Sequence, residues 1–110
     1  MFRSGKWSSA YTASLTRIES EPLDHFAWYI AGVSAHQLGQ HEEALDKLEY
    51  AVGLCGDNVD YVNNLGVALT YAGRVQDAIA AYEKAIELAP ERIDTLFNIA
   101  HALMQGDGSG

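Results

Sequence analysis

Apolar side chains recur along this chain at helical spacing, and glycine or proline closes each stretch. Val62, Leu65, Gly66 and Leu69 fall at i, i+3, i+4 and i+7, one face of an α-helix. Gly73 follows and predicts a left-handed residue just past that helix. Ala78, Ile79, Tyr82, Ala85, Ile86 and Leu88 form the next stripe, and Pro90 cannot continue it. Asp57 or Asn58 is placed to cap the helix that starts near Val59. Extended along the chain, the pattern predicts six helices, at about 7–20, 24–38, 41–54, 59–72, 75–88 and 93–105.

The stripes repeat with a 34-residue step. Gly5, Gly39 and Gly73 share one position, and Ala10, Ala44 and Ala78 another. Gly32 and Gly66 keep the step, with Ala100 next; Pro22, Gly56 and Pro90 close the units. Such a period is the mark of a repeat architecture, in which one hairpin cannot bury its apolar face alone and neighbours must stack. Gly32 and Gly66 lie inside predicted helices, where glycine costs roughly 1 kcal/mol against alanine. A packing reason is expected: small residues here, with Ala44 and Ala78 opposite, let the two rods of a hairpin approach closely. Gly66→Leu is expected to overpack that contact and Gly66→Ala to be much milder.

Composition narrows the function. A net charge of −8, with only seven scattered Lys and Arg among 110 residues, argues against nucleic acid, which needs clustered cations. It argues also against an anionic membrane surface, and favours a neutral or basic partner, although acidity alone also keeps a protein soluble. No apolar run approaches the ~18 residues of a membrane helix. The first ten residues lack the apolar stretch of a signal peptide. With the single cysteine, Cys55, these features fit a cytoplasmic location. Residues 106–110 read as a flexible tail.

Candidate chemistry is sparse. His25, His36, His41 and His101 do not fall at zinc-ligand spacing, so no metal or other cofactor is expected. Cys55 reads as a loop-packing residue. Glu42, Glu43, Asp46 and Glu49 form an acidic helix face, with Glu43 and Lys47 as an i,i+4 pair. A convex face offers no cleft for acid–base work, so no enzymatic activity is expected. Trp7, Trp28, Tyr50 and Tyr82 lie on the stripes and read as packing residues.

The set Trp28, Gly32, Ala44, Ala51, Leu65, Gly66, Ala78, Tyr82, Ala85 and Pro90 resembles the tetratricopeptide repeat family. The resemblance implies an all-α fold, an α-solenoid of antiparallel helix hairpins wound as a right-handed superhelix. It divides the chain into a half-repeat (1–24), two repeats (25–58 and 59–92) and a second half-repeat (93–105). Ser14, Arg17 and Ser20 stand where the family carries apolar or small residues, so the first helix is expected to be an atypical cap. The last helix, with Leu96, Ile99, Ala100 and Leu103, looks like an interior helix without its partner. That points to a fragment of a longer array or to contact with another chain.

In this family the first helix of each repeat lines a concave groove. Carried over by position, the partner-binding residues are Tyr29, Val33 and His36, then Asn63, Asn64, Val67 and Tyr71, then Asp94, Phe97, Asn98 and His101. Asn64 and Asn98, one period apart, resemble the asparagine ladder of O-linked N-acetylglucosamine transferases, which holds a peptide backbone; ordinary consensus residues are the alternative. Tyr29, Val33, Asp94 and Asn98 replace most of the clamp that chaperone-binding members use for a carboxylate, so acidic chaperone tails are not expected to bind. The function implied is a protein-interaction scaffold for a peptide or protein segment. Two alternatives stay open: a homo-oligomer that assembles through apolar ends, and the substrate-recruiting arm of an enzyme such as a glycosyltransferase.

Overall fold

The computed structural model describes the backbone of residues 2–108 and the side chains of residues 5–106. Six helices follow one another: α1 (Phe2–Ser20), α2 (His25–Gln37), α3 (His41–Leu54), α4 (Val59–Tyr71), α5 (Val75–Leu88) and α6 (Ile93–Gly108). They form two compact units, residues 1–56 with α1 to α3 and residues 57–110 with α4 to α6.

The helix ends follow local chemistry. Asp24 caps α2 by accepting from the Ala27 amide at 3.4 Å. Asn58 caps α4, its Oδ1 accepting from the Asp60 and Tyr61 amides at 3.0 and 3.2 Å. At the other end of α2, Gly39 has φ +79° and Gly73 after α4 has φ +83°. In both turns the next residue donates to the carbonyl five back, Gln40 to Ala35 and Arg74 to Leu69, each at 2.9 Å. The glycine itself donates three back, which completes a Schellman end and starts the returning helix within two or three residues.

Five boundaries differ from the sequence reading. The first helix begins at Phe2 rather than near residue 7, since Gly5 in its first turns does not stop it. Asp24, Leu38 and Ala72 are caps rather than helix members. α6 continues to Gly108, so residues 106–108, expected as part of a flexible tail, belong to the helix; residues 109 and 110 lie outside the described set.

Each unit is built around a glycine contact. In residues 1–56, α3 lays Ala44, Leu48 and Ala51 against α2, and a Cβ added at Gly32 would lie 2.5 Å from Leu48 Cγ. In residues 57–110, α5 lays Ala78, Tyr82 and Ala85 against α4, and a Cβ at Gly66 would lie 2.7 Å from Tyr82 Cδ1. The close approach is as expected, but the residue against each glycine is the large one a turn further on, not Ala44 or Ala78. Trp28 packs as predicted: its ring stacks on Tyr50 at 4.1 Å between centroids, and its Nε1–H donates to the Pro22 carbonyl at 2.8 Å. Lys47 reaches Glu43 at 3.4 Å, an exposed pair worth a few tenths of a kcal/mol. Among the described residues no helix is long and apolar enough to cross a membrane.

Candidate functional site

The α4–α6 face of residues 57–110 holds most of the polar chemistry. Asn63 and Asn98 belong to apolar-periodic helices, and the α5 turn brings them together. Asn98 Nδ2 donates to Asn63 Oδ1 at 3.2 Å, and Asn63 Nδ2 donates to Asp94 Oδ2 at 3.4 Å. Arg92 closes the network. Its Nε and Nη2 fork Asp94 at 3.0 and 2.7 Å, and its Nη1 reaches Asp60 at 3.0 Å. The guanidinium holds the Asp94 carboxyl below the usual carboxylate range, and the two carboxylates raise the Arg92 pKa in return. One cation against two anions leaves this corner with one net negative charge.

Beyond the network the face opens into a cleft of about 380 Å³ lined by Thr70, Tyr71, His101 and Gln105. Tyr71 is 60% exposed, and Gln105 Nε2 lies 3.4 Å from His101 Nε2. The cleft combines an aromatic wall with side chains that both donate and accept, which suits a peptide backbone or a polar side chain. Among the described residues no cluster of three or more His, Cys, Asp or Glu is placed to hold a metal ion.

The residues named from sequence separate into groups. Asn64 and Val67 are half-buried on α4, and Asn64 Nδ2 donates to the Asp60 carbonyl of its own helix at 2.9 Å. Tyr71, Asp94, Phe97 and His101 are exposed, and Asn98 is half-buried. Asn63 is 5% exposed, so it braces α4 against α6 instead of offering its amide to a partner. In residues 1–56, Tyr29, Val33 and His36 share one half-buried face of α2, with Tyr29 tilted against Phe26 at 6.1 Å. Arg92 was missed by the sequence reading. Its only signal was its place two residues before Asp94, where the preceding repeat carries the cap Asn58.

His36 meets His41 across the α2–α3 turn, with ring centroids 5.1 Å apart. Burial, and then the neighbouring imidazole, push the His36 pKa below its ordinary 6.5. Both causes disfavour the charged form in the folded state, so the unfolded chain binds more protons near and below that value. Stability is therefore full above 6.5 and falls as pH drops toward the depressed value. Urea melts at about pH 7.5 and about pH 5.5 should show this loss, and His36→Gln should reduce it. An identical difference in the variant would remove His36 as the cause.

Comparison with known proteins places this geometry. Two family models described as tetratricopeptide repeat match residues 2–59 and 60–92, the first of them more than half of the chain. The chain belongs to the tetratricopeptide repeat family. Photosystem I assembly protein Ycf3 of Synechococcus elongatus is 35% identical over 78 residues, covering 68% of this chain and 45% of that protein. This tetratricopeptide repeat chain therefore spans about half the length of the curated relatives it first matches. The Thermobaculum terrenum O-GlcNAc transferase carries a similar fold, with 27% identity and a TM-score of 0.84 over 92% of this chain and 19% of that one. The second tetratricopeptide domain of human RPAP3, solved with the HSP70 peptide SGPTIEEVD, superposes with a TM-score of 0.85. It covers 92% of this chain and 84% of that one and, at 19% identity, shows the fold alone. The fold class is the all-α solenoid of this family.

Proposed function

We propose that the chain is a non-catalytic protein-interaction module whose α4–α6 face grips an extended or short helical segment of another polypeptide. The observation that carries this reading is the open cleft beside Tyr71, where an exposed ring stands next to Thr70, His101 and Gln105. An aromatic wall gives contact area at little entropic cost, and the hydroxyl, amide and imidazole supply backbone-directed hydrogen bonds. By helical spacing the gripping face continues from the cleft through Val67 and Asn64 on α4 and through Asn98, Phe97 and Asp94 on α6. Tyr29, Val33 and His36 on α2 form a further face within residues 1–56. Peptide capture by the RPAP3 domain and the assembly role in the Ycf3 name support such a use of the fold.

The partner is neutral or basic. The chain carries a net charge of −8, and the Asp60–Arg92–Asp94 corner keeps a negative excess at the N-terminal end of the same α4–α6 face. The expected test is fluorescence anisotropy with labelled peptides. Neutral or basic peptides from a random library bind at micromolar Kd, and Tyr71→Ala weakens them about tenfold, roughly 1.4 kcal/mol, without changing the circular-dichroism melt. The acidic peptide SGPTIEEVD binds at least about tenfold more weakly than the best basic peptide. Preference for the acidic peptide, or indifference to Tyr71→Ala, would defeat the proposal.

A second reading is a substrate-recruiting arm of a larger enzyme. Likeness to the Thermobaculum terrenum transferase supports it. Coding sequence for a glycosyltransferase adjoining this segment would decide in its favour.

A further inference from the structure

Independently of any peptide ligand, we infer that α6 of one copy seats in the α1–α2 groove of a second copy, forming a head-to-tail joint that completes a repeat across two chains. The starting observation is the uncovered face of α6. Leu96 and Leu103 are each 47% exposed, whereas Val62 and Leu69, one period earlier on α4, are 1% and 4% exposed beneath α5. Among the described residues nothing covers the surface of α6 that corresponds to the one α5 covers on α4.

The complementary surface lies on α1 and α2. These helices enclose a largely apolar cleft of about 350 Å³, with Ala10, Ala13 and Ser14 on one wall, Phe26, Ala27 and Ile30 on the other, and the Arg17–Asp24 ion pair also lining it. Two periods later in the sequence the corresponding helices are α5 and α6, and there the equivalent seat is occupied by α4. That occupied seat is a template for the joint, since α6 is α4 shifted by one period.

The contacting positions change together when the template is applied. In the filled seat Gly66 lies against the Tyr82 ring, where no Cβ fits. At the joint the same positions are Ala100 and Ser14: the glycine has gained a methyl group, and the bulky ring has become the smallest hydroxyl residue. In the filled seat Asn63 bonds Asp94 and Asn98. At the joint these become Phe97, Phe26 and Ile30, so a polar triad is replaced by an apolar one with every member changed to match. Phe97 and Phe26 are 72% and 57% exposed in the single chain, and each would be covered by the other. Neither Phe97 nor Phe26 is covered within its own chain, and the changed positions match one another when α6 of a second copy takes the seat. The contact is heterologous, so it leaves a free α6 at one end and a free groove at the other and continues into an open chain of copies.

The test is sedimentation velocity on the 110-residue chain. Weight-average mass should more than double between about 10 µM and about 1 mM, as expected for a weak contact repeated along a chain. Leu103→Glu disables the α6 end and Ala13→Glu disables the groove; both positions are exposed, so folding is checked by circular dichroism and should be kept. Each variant alone should be monomeric, while their equimolar mixture should form dimers and grow no further. Ser14→Leu should also block assembly, and adding Ala100→Gly should restore it. A wild-type chain that stays monomeric at the highest concentration would overturn the joint. So would a mixture of the two variants that fails to dimerise, or assembly abolished by Leu103→Glu but untouched by Ala13→Glu, which would mean α6 pairs with α6. A longer polypeptide with residues beyond 110 that stays monomeric would assign the α6 face to its own following segment and overturn it as well.

Discussion

Gly66→Ala should destabilise the protein by about 1–3 kcal/mol, whereas Gly53→Ala should stabilise it by up to about 1 kcal/mol. Both glycines are inside helices, so intrinsic propensity favours alanine at each. The difference is what the new methyl meets. At Gly53 nothing lies within 4 Å of the added Cβ, and only the helix-propensity gain remains. At Gly66 the Cβ falls 2.7 and 2.8 Å from Cδ1 and Cζ of Tyr82, well inside van der Waals contact. The ring is 2% exposed and cannot swing into solvent, so α4 and α5 must separate. This reverses the sequence-based expectation that alanine would be mild. Urea denaturation of the two variants gives opposite shifts in midpoint. A neutral Gly66→Ala would show that the hairpin tolerates a wider spacing and that close approach is not what glycine supplies.

Truncating the other half of that contact should be costlier. Tyr82→Ala is expected to lose about 3–5 kcal/mol, the range for removing a large buried ring and leaving a partly collapsed cavity. Tyr82→Phe separates the ring from its hydroxyl. Burial pushes the Tyr82 phenol up, and a hydrogen bond with Thr70 opposes that shift. Losing only the hydroxyl should cost about 1 kcal/mol. The double variant Gly66→Ala with Tyr82→Ala should be less unstable than the sum of its singles, because the methyl enters space the ring vacated. Strict additivity would mean that the two residues do not touch in solution.

Much of the fold was legible because its signals are local. α3 and α5 were placed to the residue. Each follows a glycine turn with positive φ and ends at a residue two before Gly56 or Pro90. The 34-residue recurrence of small residues announced helix pairs in close contact, and Gly32 and Gly66 are so placed. The N-cap at Asn58 was foreseen as one of two candidates, since a short amide or carboxylate before a helix accepts from its first amides.

The candidate site was less legible. Tyr71 and His101 are exposed beside one cleft, yet Asn63 looked like an equal member of the same face and is buried as a brace. Its fate depends on how near α6 lies, a distance set by α5 and by no pattern within α4. Arg92 has its role only because the starts of α4 and α6 bring Asp60 and Asp94 to it.

Sequence alone determined the element type, the repeat length, the left-handed turns at Gly39 and Gly73 and the family, because each rests on spacing along one helix or on backbone freedom at one residue. Tertiary structure alone decided which side chain fills the space at each glycine, that Asn63 turns inward and that Arg92 forks Asp94. Helical side chains lean toward the N-terminus of their own helix, so Leu48 and Tyr82, one turn beyond Ala44 and Ala78, are the ones that reach back to Gly32 and Gly66. A sequence period names the positions that face each other only to within a turn, and packing chooses among them.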